Sequence, residues 1–181
     1  MNSIRKILLF ALIIFSSCEK NNPNASSIQN EITVTVFIYE NCPIAQYMCG
    51  PLRDAYRYFC DTLSQEILFR GISPNSFSTE ETLENFAIEY DIPFDVFIDY
   101  DHINSQHGSY VQHYSPFVTP EVFIEANSEL VYRGMIDNSY QELGQWALPT
   151  KNYIFDVLTQ LLDGETITYF ETTAIGCVIN N

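Results

Sequence analysis

The amino-acid sequence predicts an α/β domain in which helices flank a central mixed β-sheet, and three observations support this fold class. Segment 32–39 is β-branched and aromatic throughout, which is typical of a strand buried on both faces. Apolar residues then recur at helical spacing over 44–63. Segment 121–133 contains two strand-like runs around Asn127-Ser128, which predicts a β-hairpin.

The rest of the domain alternates between predicted strands and helices. Gly50-Pro51 lies inside the first helix, where a proline removes a backbone hydrogen bond and is expected to bend the axis. Thr79 and Thr150 are the expected N-caps of later helices, and Gly164 is expected to end the last one. The expected elements are a helix that begins at Cys42, a strand over 66–70, a helix over 79–90, a strand over 94–98, a weaker helix over 101–114 interrupted by Gly108, a helix from 150 to 164, and a strand-like segment over 166–170.

The N-terminus has the three parts of a bacterial export signal. Arg5-Lys6 form the basic region, segment 7–15 is apolar, and two serines precede Cys18. The apolar run is shorter than the roughly 20 residues that a membrane-spanning helix needs. Small residues before a cysteine resemble the bacterial lipobox, in which the cysteine is acylated. Cys18 is therefore the expected lipidation site, and a lipid anchor is the expected contact with a membrane.

The chain is expected to divide into three parts. Residues 1–17 are predicted to be a lipoprotein signal peptide, residues 18–30 a lipidated polar tether, and residues 31–181 one domain. This organisation predicts a lipid-anchored protein of the bacterial cell envelope that faces the periplasm or the exterior. Disulfide chemistry is permitted in such a compartment.

The charge of the chain limits the classes of partner. The sequence has 8 basic and 23 acidic residues, for a net charge of −15 at pH 7. Proteins that bind nucleic acid need a basic surface, so this composition argues against nucleic acid as a partner.

Cys42 is the strongest candidate for chemistry among the cysteines that remain beside Cys18. It follows the first strand, and Pro43 suits the first position of a helix. Cys42 would then lie at the positive end of the helix dipole. That position favours the thiolate, which is the nucleophile of disulfide exchange.

Cys42 has no local partner for a disulfide. The position at which a CxxC motif has its second cysteine is occupied by Ala45. Cys49 lies about 10 Å further along the helix, beyond the Cα separation of about 7 Å that a disulfide spans, and Cys60 is further still. Both are expected to pack as small apolar side chains. A structural disulfide of Cys49 with Cys60 or with Cys177 is an alternative.

Four motifs occur in order along the chain. They are Cys42-Pro43-Ile44-Ala45, Thr119-Pro120-Glu121-Val122-Phe123, Val131-Tyr132-Arg133-Gly134 with Ile136-Asp137, and Thr172-x-Ala174-x-Gly176-Cys177-x-Ile179. Together they resemble a bacterial group of redoxin-domain, thioredoxin-like proteins, which carry a CP-type cysteine early and a Gly-Cys near the C-terminus. The resemblance spans nearly all of residues 31–180 and implies a thioredoxin-like fold.

The resemblance also implies roles for individual residues. Pro120 would be a cis-proline that faces Cys42, and the backbone of Thr119 would pair with an incoming peptide. Thr119, Pro120 and Pro43 are thus the expected docking residues. A mixed disulfide on Cys42 must be resolved by a second thiol, and the resemblance favours Cys177 for this role. Protein or small-molecule thiols and disulfides are the expected partners, and neither a cofactor nor a metal is implied.

Two other functions fit less well. A peroxidase is disfavoured because the peroxiredoxin signature requires proline at position 35 and Thr or Ser at position 39, where this chain has Thr35 and Tyr39. A non-catalytic adaptor, in which the fold survives without the redox centre, is compatible with the missing CxxC.

A copper or soft-metal site is the third alternative. Copper-handling proteins of this fold use a CxxxC motif and a distant histidine, but its second cysteine is replaced here by Gln46. His102, His107 and His113 are expected on an exposed polar helix, which favours a solvated surface. The sequence therefore predicts an extracytoplasmic, membrane-anchored thiol-disulfide oxidoreductase with Cys42 as its nucleophile.

Overall fold

Strands and helices alternate along the first part of the chain, as the sequence predicts. The computed structural model describes residues 31–142 and 144–179, so the expected signal peptide, Cys18 and the expected tether lie outside the described residues. The elements are β1 (Ile32–Phe37), α1 (Pro43–Tyr56) continued by a π-helical segment (Arg57–Thr62), β2 (Ile67–Ser73), α2 (Glu80–Glu89), β3 (Val96–Ile98), β4 (Tyr100–Asp101), β5 (Gln106–His107), α3 (Ser109–Tyr114), β6 (Val118–Thr119), β7 (Glu121–Ala126), β8 (Glu129–Gly134), β9 (Tyr140–Glu142), β10 (Gln145–Trp146), α4 (Tyr153–Asp163) and β11 (Cys177–Val178).

Five of these strands form the central sheet, in the order β3-β2-β1-β7-β8. β1 pairs in parallel with β2 and antiparallel with β7. β2 and β3 are parallel, whereas β7 and β8 are antiparallel. The sheet is therefore mixed, which confirms the predicted fold class. β1 lies at its centre because its apolar residues can be buried on both faces.

The two faces of the sheet bury separate cores. Val34 and Val36 of β1 are fully buried in the larger core, which Leu52 of α1 joins. Successive side chains of a strand point to opposite faces. Phe37 accordingly enters the smaller core, where its ring packs edge-on against Tyr114 of α3 at 5.9 Å between centroids. α1 and α3 therefore cover opposite faces of β1.

The first helix begins one residue later than predicted. Cys42 is its N-cap and Pro43 its first residue, while Pro51 lies inside α1. The helix runs on to Thr62 through the π-helical segment, close to the predicted limit of the apolar pattern. Its apolar stripe packs on the sheet, so α1 presents its N-terminus at the end of β1.

The predicted hairpin after β6 is confirmed. β7 and β8 flank Asn127 and Ser128, whose φ angles are 53° and 65°. Positive φ at both central residues is characteristic of a two-residue hairpin turn that matches the twist of the strands. This hairpin completes one side of the sheet next to β1.

The weaker helix predicted over 101–114 is wrong in its first half. β4 and β5 pair there as a short hairpin, and only α3 is helical. The Asp101 carboxylate accepts hydrogen bonds from the N–H groups of Ile103 and Asn104, at 2.9 and 3.1 Å, which closes a turn. The Asp99 carboxylate accepts an N–H of the first turn of α3 at 2.7 Å, so the helix begins after this hairpin.

The last helix is capped by Asn152 rather than by the predicted Thr150. The Asn152 side chain accepts a hydrogen bond from the N–H of Phe155 at 3.3 Å. Thr150 instead accepts a hydrogen bond from the side chain of Asn138 at 2.8 Å, which turns it away from the helix start. Gly164, with a φ of 68°, ends α4 as predicted.

The strand-like segment predicted over 166–170 does not form a strand in the described structure. The N–H of Thr168 donates to the side chain of Gln160 at 2.9 Å, which holds this segment against α4. β-branched composition therefore did not decide its conformation. The segment meets β8 at its C-terminal end, where the Phe170 carbonyl accepts the N–H of Arg133 at 3.1 Å.

The topology is that of a thioredoxin-like fold. A central strand delivers a cysteine to the start of a helix, and a cis-proline at Thr119-Pro120 precedes the β7–β8 hairpin. The predicted thioredoxin-like fold is thus confirmed. Over residues 31–142 and 144–179, none of the helices combines the length and apolar character needed to span a membrane.

Candidate redox site

Cys42 and Cys177 form a disulfide, although 135 residues separate them along the chain. Their Cα atoms are 6.1 Å apart, within the usual range for a disulfide. Cys42 is fully buried, whereas Cys177 is partly exposed. The structure confirms the favoured pair. The alternative disulfides of Cys49 are wrong, because Cys49 and Cys60 are free.

Cys42 is held at the N-terminus of α1 by the local sequence. Its backbone is extended, with φ −89° and ψ 113°, and its carbonyl accepts the N–H of Gln46 at 3.0 Å in the first helical turn. Pro43 at the first helical position has the φ that a helix requires and needs no hydrogen-bond partner. No acidic residue lies in this first turn. The free N–H groups and the dipole of α1 therefore favour a thiolate at Cys42.

Glu40 fixes the loop in front of Cys42, a role that was not predicted from the sequence. Its carboxylate is buried and accepts hydrogen bonds from the hydroxyls of Ser78 at 2.7 Å and Thr82 at 3.0 Å. Its backbone carbonyl accepts a hydrogen bond from the side chain of Gln46 at 2.7 Å. The loop is thereby tied both to α1 and to the start of α2. A carboxylate directly after an apolar strand was the available signal.

Thr119 and Pro120 lie against Cys42, as the resemblance implies. The Thr119-Pro120 peptide bond is cis, and both residues are buried. The Cys42 sulfur lies 3.1 Å from the carbonyl oxygen of Thr119, and a reduced Cys42 thiol can donate a hydrogen bond to it. The fold thus gathers Cys42, Pro43, Thr119, Pro120 and Cys177 at one place.

The C-terminal segment reaches this site as a short strand. β11 pairs antiparallel with β6, with Cys177 opposite Thr119. Gly176 approaches Thr119 so closely that an added Cβ would overlap the Thr119 carbonyl. Glycine is therefore needed at 176 for the chain to pass, which gives the Gly-Cys motif a physical reason.

Before it reaches the site, the C-terminal segment is anchored to β8. The N–H of Thr172 donates to the carbonyl of Arg133 at 3.0 Å. The Thr172 hydroxyl also bonds the Tyr132 hydroxyl at 2.6 Å and accepts the N–H of Met135 at 2.8 Å. These contacts fix the point from which the segment crosses to Cys42.

Arg133 supports the residues around Pro120 rather than the disulfide itself. Its guanidinium forms a buried ion pair with Glu121 at 2.6 Å and lies over the Phe123 ring, 4.8 Å from its centroid. Glu121 also accepts the N–H of Phe117 at 2.7 Å, which shapes the approach to β6. Asp137 has a different partner, because it accepts both the N–H and the hydroxyl of Ser139.

The two free cysteines are poorly suited to exchange. Burial raises the pKa of Cys49 to about 12, partly offset by the nearby Arg53. Burial also raises the pKa of Cys60, partly offset by a hydrogen bond to the carbonyl of Ile67. Both thiols therefore stay protonated near neutral pH and are weak nucleophiles.

The histidines do not form the exposed helical row that the sequence predicts. His107 belongs to β5, and its ring contacts Tyr100 edge-on at 5.7 Å. His102 lies in the turn between β4 and β5, and His113 lies in α3, 3.8 Å from a carboxylate oxygen of Glu125. Within the ranges 31–142 and 144–179, no group of three or more His, Cys, Asp or Glu side chains is arranged to hold a metal ion.

A cavity of about 250 Å³ opens beside the disulfide. Tyr39, Phe77 and Tyr100 line it on one side, and Thr119 and Val178 border it on the other. Phe77 is 80% exposed, so this side of the cavity presents an aromatic surface to solvent. A larger cleft of about 840 Å³ lies between α2 and β3, and none of its lining residues is a cysteine.

Known proteins resemble this chain in structure, but none was matched by its sequence. No family model matches the sequence, and no curated protein matches it. An uncharacterised conserved protein from Geobacillus kaustophilus aligns with 85% of this chain and 79% of its own, at 24% identity and a TM-score of 0.69. A hypothetical protein from Sinorhizobium meliloti aligns with 83% of this chain and 80% of its own, at 21% identity and a TM-score of 0.68.

A third solved structure is more distant. A thiol-disulfide oxidoreductase from Bacteroides fragilis aligns with 64% of this chain and 80% of its own, at 14% identity and a TM-score of 0.49. The two likenesses at 21–24% identity show the fold. Residues 31–142 and 144–179 have a thioredoxin-like fold, and their C-terminal segment is joined by a disulfide to the start of α1.

Proposed function

We propose that the protein is a thiol-disulfide oxidoreductase in which Cys42 is the nucleophile and Cys177 the resolving thiol. The observation that carries the proposal is the disulfide between these residues, at a helix N-terminus and beside the cis-proline Pro120. Thr119 and Pro120 form the docking edge for a substrate, and Pro43 borders it. The partners are protein or small-molecule thiols and disulfides.

The chemistry follows from the surroundings of Cys42. In the reduced protein, the N-terminus of α1 stabilises the Cys42 thiolate, which attacks one sulfur of a substrate disulfide and expels the other as a thiolate. The resulting mixed disulfide is resolved when the Cys177 thiolate attacks the Cys42 sulfur. The same stabilisation makes Cys42 a good leaving group when an external thiol opens the internal disulfide.

The proposal includes a place in the cell envelope. The basic residues, the short apolar run and the two serines before Cys18 support export followed by acylation of Cys18. Residues 18–30 then connect the lipid to a domain that begins at β1. Multiple acyl chains, each contributing about 0.8 kcal/mol per buried CH₂, would hold the domain at a membrane surface.

A turnover assay tests the proposed activity. The reduced domain, residues 31–181, is mixed with a disulfide-linked peptide and an excess of dithiol, and release of the peptide thiol is followed. Wild type is expected to accelerate release over buffer, whereas Cys42→Ser is expected to match buffer. Cys49→Ala, which also removes a buried thiol, serves as the matched control and is expected to keep the wild-type rate. Equal rates for Cys42→Ser and wild type would refute the mechanism and favour a non-catalytic adaptor.

A fractionation experiment tests the anchor. The full chain expressed in a bacterium is expected in the membrane fraction with the mass of an acylated protein. Cys18→Ala is expected to abolish acylation and release the protein from that fraction. Retention of unacylated Cys18→Ala in the membrane fraction would refute the lipid anchor without affecting the redox proposal.

A further inference from the structure

In the oxidised protein, the C-terminal segment occupies the strand edge that the proposed function assigns to the substrate. β11 pairs antiparallel with β6, and the N–H of Ile179 donates to the carbonyl of Phe117 at 3.2 Å. An extended peptide that adds to a strand uses the same backbone groups. A substrate peptide and the C-terminal segment therefore cannot pair with this edge of β6 at the same time.

We infer that the protein is a reductant of disulfides in extended peptides, and that its C-terminal segment displaces the product peptide as it resolves the mixed disulfide. This inference rests on the proposed function. The β6 edge is free only when the bond between Cys42 and Cys177 is reduced and β11 has left. A peptide therefore docks on the reduced form of the protein, which can donate two electrons to a disulfide.

The peptide half-reaction has two exchange steps. The Cys42 thiolate attacks a peptide disulfide R–S–S–R′, which forms Cys42–S–S–R and releases R′–S⁻. The Cys177 thiolate then attacks the Cys42 sulfur, which forms the internal disulfide and releases R–S⁻. The two product thiolates take up protons from water. The peptide disulfide gains two electrons, and the two cysteines of the protein lose them.

Strand pairing drives the second step toward the internal disulfide. Cys177 is tethered at Thr172, five residues away, so its effective concentration at Cys42 far exceeds that of a free peptide. Formation of the internal disulfide is accompanied by the β6–β11 pairing and the Ile179 hydrogen bond. These contacts stabilise the oxidised form relative to the mixed disulfide. A stable internal disulfide is poorly oxidising, which makes the reduced protein a reductant.

The burial of the two cysteines indicates how electrons enter the protein. Cys42 is fully buried in the oxidised form, and Cys177 is partly exposed. A thiolate of an external dithiol therefore attacks the Cys177 sulfur, and the Cys42 thiolate leaves at the start of α1. The second thiolate of the dithiol then attacks its own bonded sulfur and releases Cys177. The dithiol ends as a disulfide, and β6 becomes free for a peptide.

Substitution at Gly176 tests the inference, because a side chain there would overlap the Thr119 carbonyl and weaken the pairing. Gly176→Val and wild type are equilibrated with a dithiothreitol redox buffer, and their disulfides are quantified by alkylation and mass measurement. Loss of about one net hydrogen bond changes an equilibrium constant about tenfold, so the reduction potential of Gly176→Val is expected to rise by about 30 mV. Its mixed disulfide between Cys42 and a test peptide is expected to persist longer than in wild type.

Two further variants keep the test specific. Ile179→Pro removes the N–H that bonds Phe117 and is expected to raise the potential in the same direction as Gly176→Val. Thr173→Val, at an exposed residue of the same segment outside β11, keeps the backbone pairing and is expected to behave as wild type.

The possible outcomes separate the inference from the proposed function. The inference is overturned if Gly176→Val and Ile179→Pro both have the reduction potential of wild type. It is also overturned if the protein oxidises a dithiol peptide faster than it reduces the disulfide of that peptide. Either result leaves the proposed function standing. Brief treatment of the oxidised wild type with glutathione is expected to place the adduct on Cys177. Glutathione found first on Cys42 would overturn the proposed route of electron entry. If neither wild type nor any of these variants forms a mixed disulfide through Cys42, the proposed function is refuted instead.

Discussion

The two cysteines of the disulfide lie in regions that are attached very differently to the rest of the molecule. Cys42 lies between the central strand β1 and α1, behind a loop that Glu40 ties to α2. Beyond Thr172, the segment that carries Cys177 forms its strand hydrogen bonds through β11 and Ile179. The nucleophile is therefore fixed by the core, whereas its partner is held by a short β-ladder that can open without unfolding the sheet.

The largest expected effect on turnover comes from removal of the Cys177 thiol while Cys42 is kept. Cys177→Ser is expected to stop turnover and to accumulate a mixed disulfide between Cys42 and the substrate, because attack proceeds while the internal resolving thiol is gone. Non-reducing gels with peptide mapping measure the adduct. The double variant Cys42→Ser/Cys177→Ser is the control and is expected to trap nothing. An adduct on Cys49 or Cys60 would contradict the assignment of Cys42.

On the side of the fixed cysteine, Glu40 is expected to contribute most to stability. Glu40→Ala leaves the hydroxyls of Ser78 and Thr82 without their buried acceptor, and hydrogen bonds to a charged group each contribute about 1.5–3 kcal/mol. A loss of at least about 3 kcal/mol is expected in denaturant unfolding, which is the sum of the lower limits for the two bonds. Glu80 is an exposed acidic residue in the first turn of α2. Glu80→Ala is the control and is expected to change stability by less than about 1 kcal/mol. Equal losses for both variants would show that Glu40 does not fix the loop.

On the side of the C-terminal segment, Thr172 is expected to contribute less. Thr172→Val keeps the shape of the side chain but removes its hydroxyl from Tyr132 and Met135. The expected loss in denaturant unfolding is about 1–2 kcal/mol, since typical neutral hydrogen bonds contribute about 0.5–1.5 kcal/mol each. Thr173→Val, at an exposed neighbour, is expected to be nearly neutral. A larger loss for Thr172→Val than for Glu40→Ala would reverse the comparison between the two regions.

Cys49 is expected to show the smallest effect, confined to stability. Cys49→Ala is expected to cost about 1 kcal/mol and to leave turnover unchanged. The folded-state pKa of about 12 lies above the ordinary value of 9.0, so the folded protein holds this proton more tightly than the unfolded chain. Below pH 9 this difference contributes fully to stability, and it is lost as the pH rises toward 12.

Urea titrations of wild type and Cys49→Ala across that pH range measure the effect. Wild type is expected to lose up to about 1.4 kcal/mol per pH unit more than the variant, which lacks the titrating thiol. Parallel pH profiles for the two proteins would show that Cys49 is more accessible to solvent than its burial indicates.

The sequence was sufficient where local pattern decides the structure. The composition of β1, the Pro43 start of α1 and the turn at Asn127-Ser128 are each specified by residues close together in the chain. The cysteine pair was favoured because a family resemblance placed a partner at Cys177, not because any spacing required it.

The sequence was insufficient where distant residues decide the structure. Glu40 takes its role from hydroxyls 38 and 42 residues away, which no periodicity reveals. β11 is two residues long and exists because β6 lies beside it. The β4–β5 hairpin was missed because the turn depends on the Asp101 side chain, which competes with the helical pattern around it.

The wide separation of the bonded cysteines also orders the maturation of the chain. Cys42 precedes Cys177 by 135 residues, so it emerges well before its native partner during synthesis or export. Cys49 and Cys60 follow it closely and are the nearest competitors for mispairing. Formation of α1 protects against this error, because it buries Cys49 and keeps that thiol protonated. When Cys177 arrives, the disulfide closes a long loop and lowers the conformational entropy of the unfolded chain. This stabilises the folded state by on the order of 5 kcal/mol.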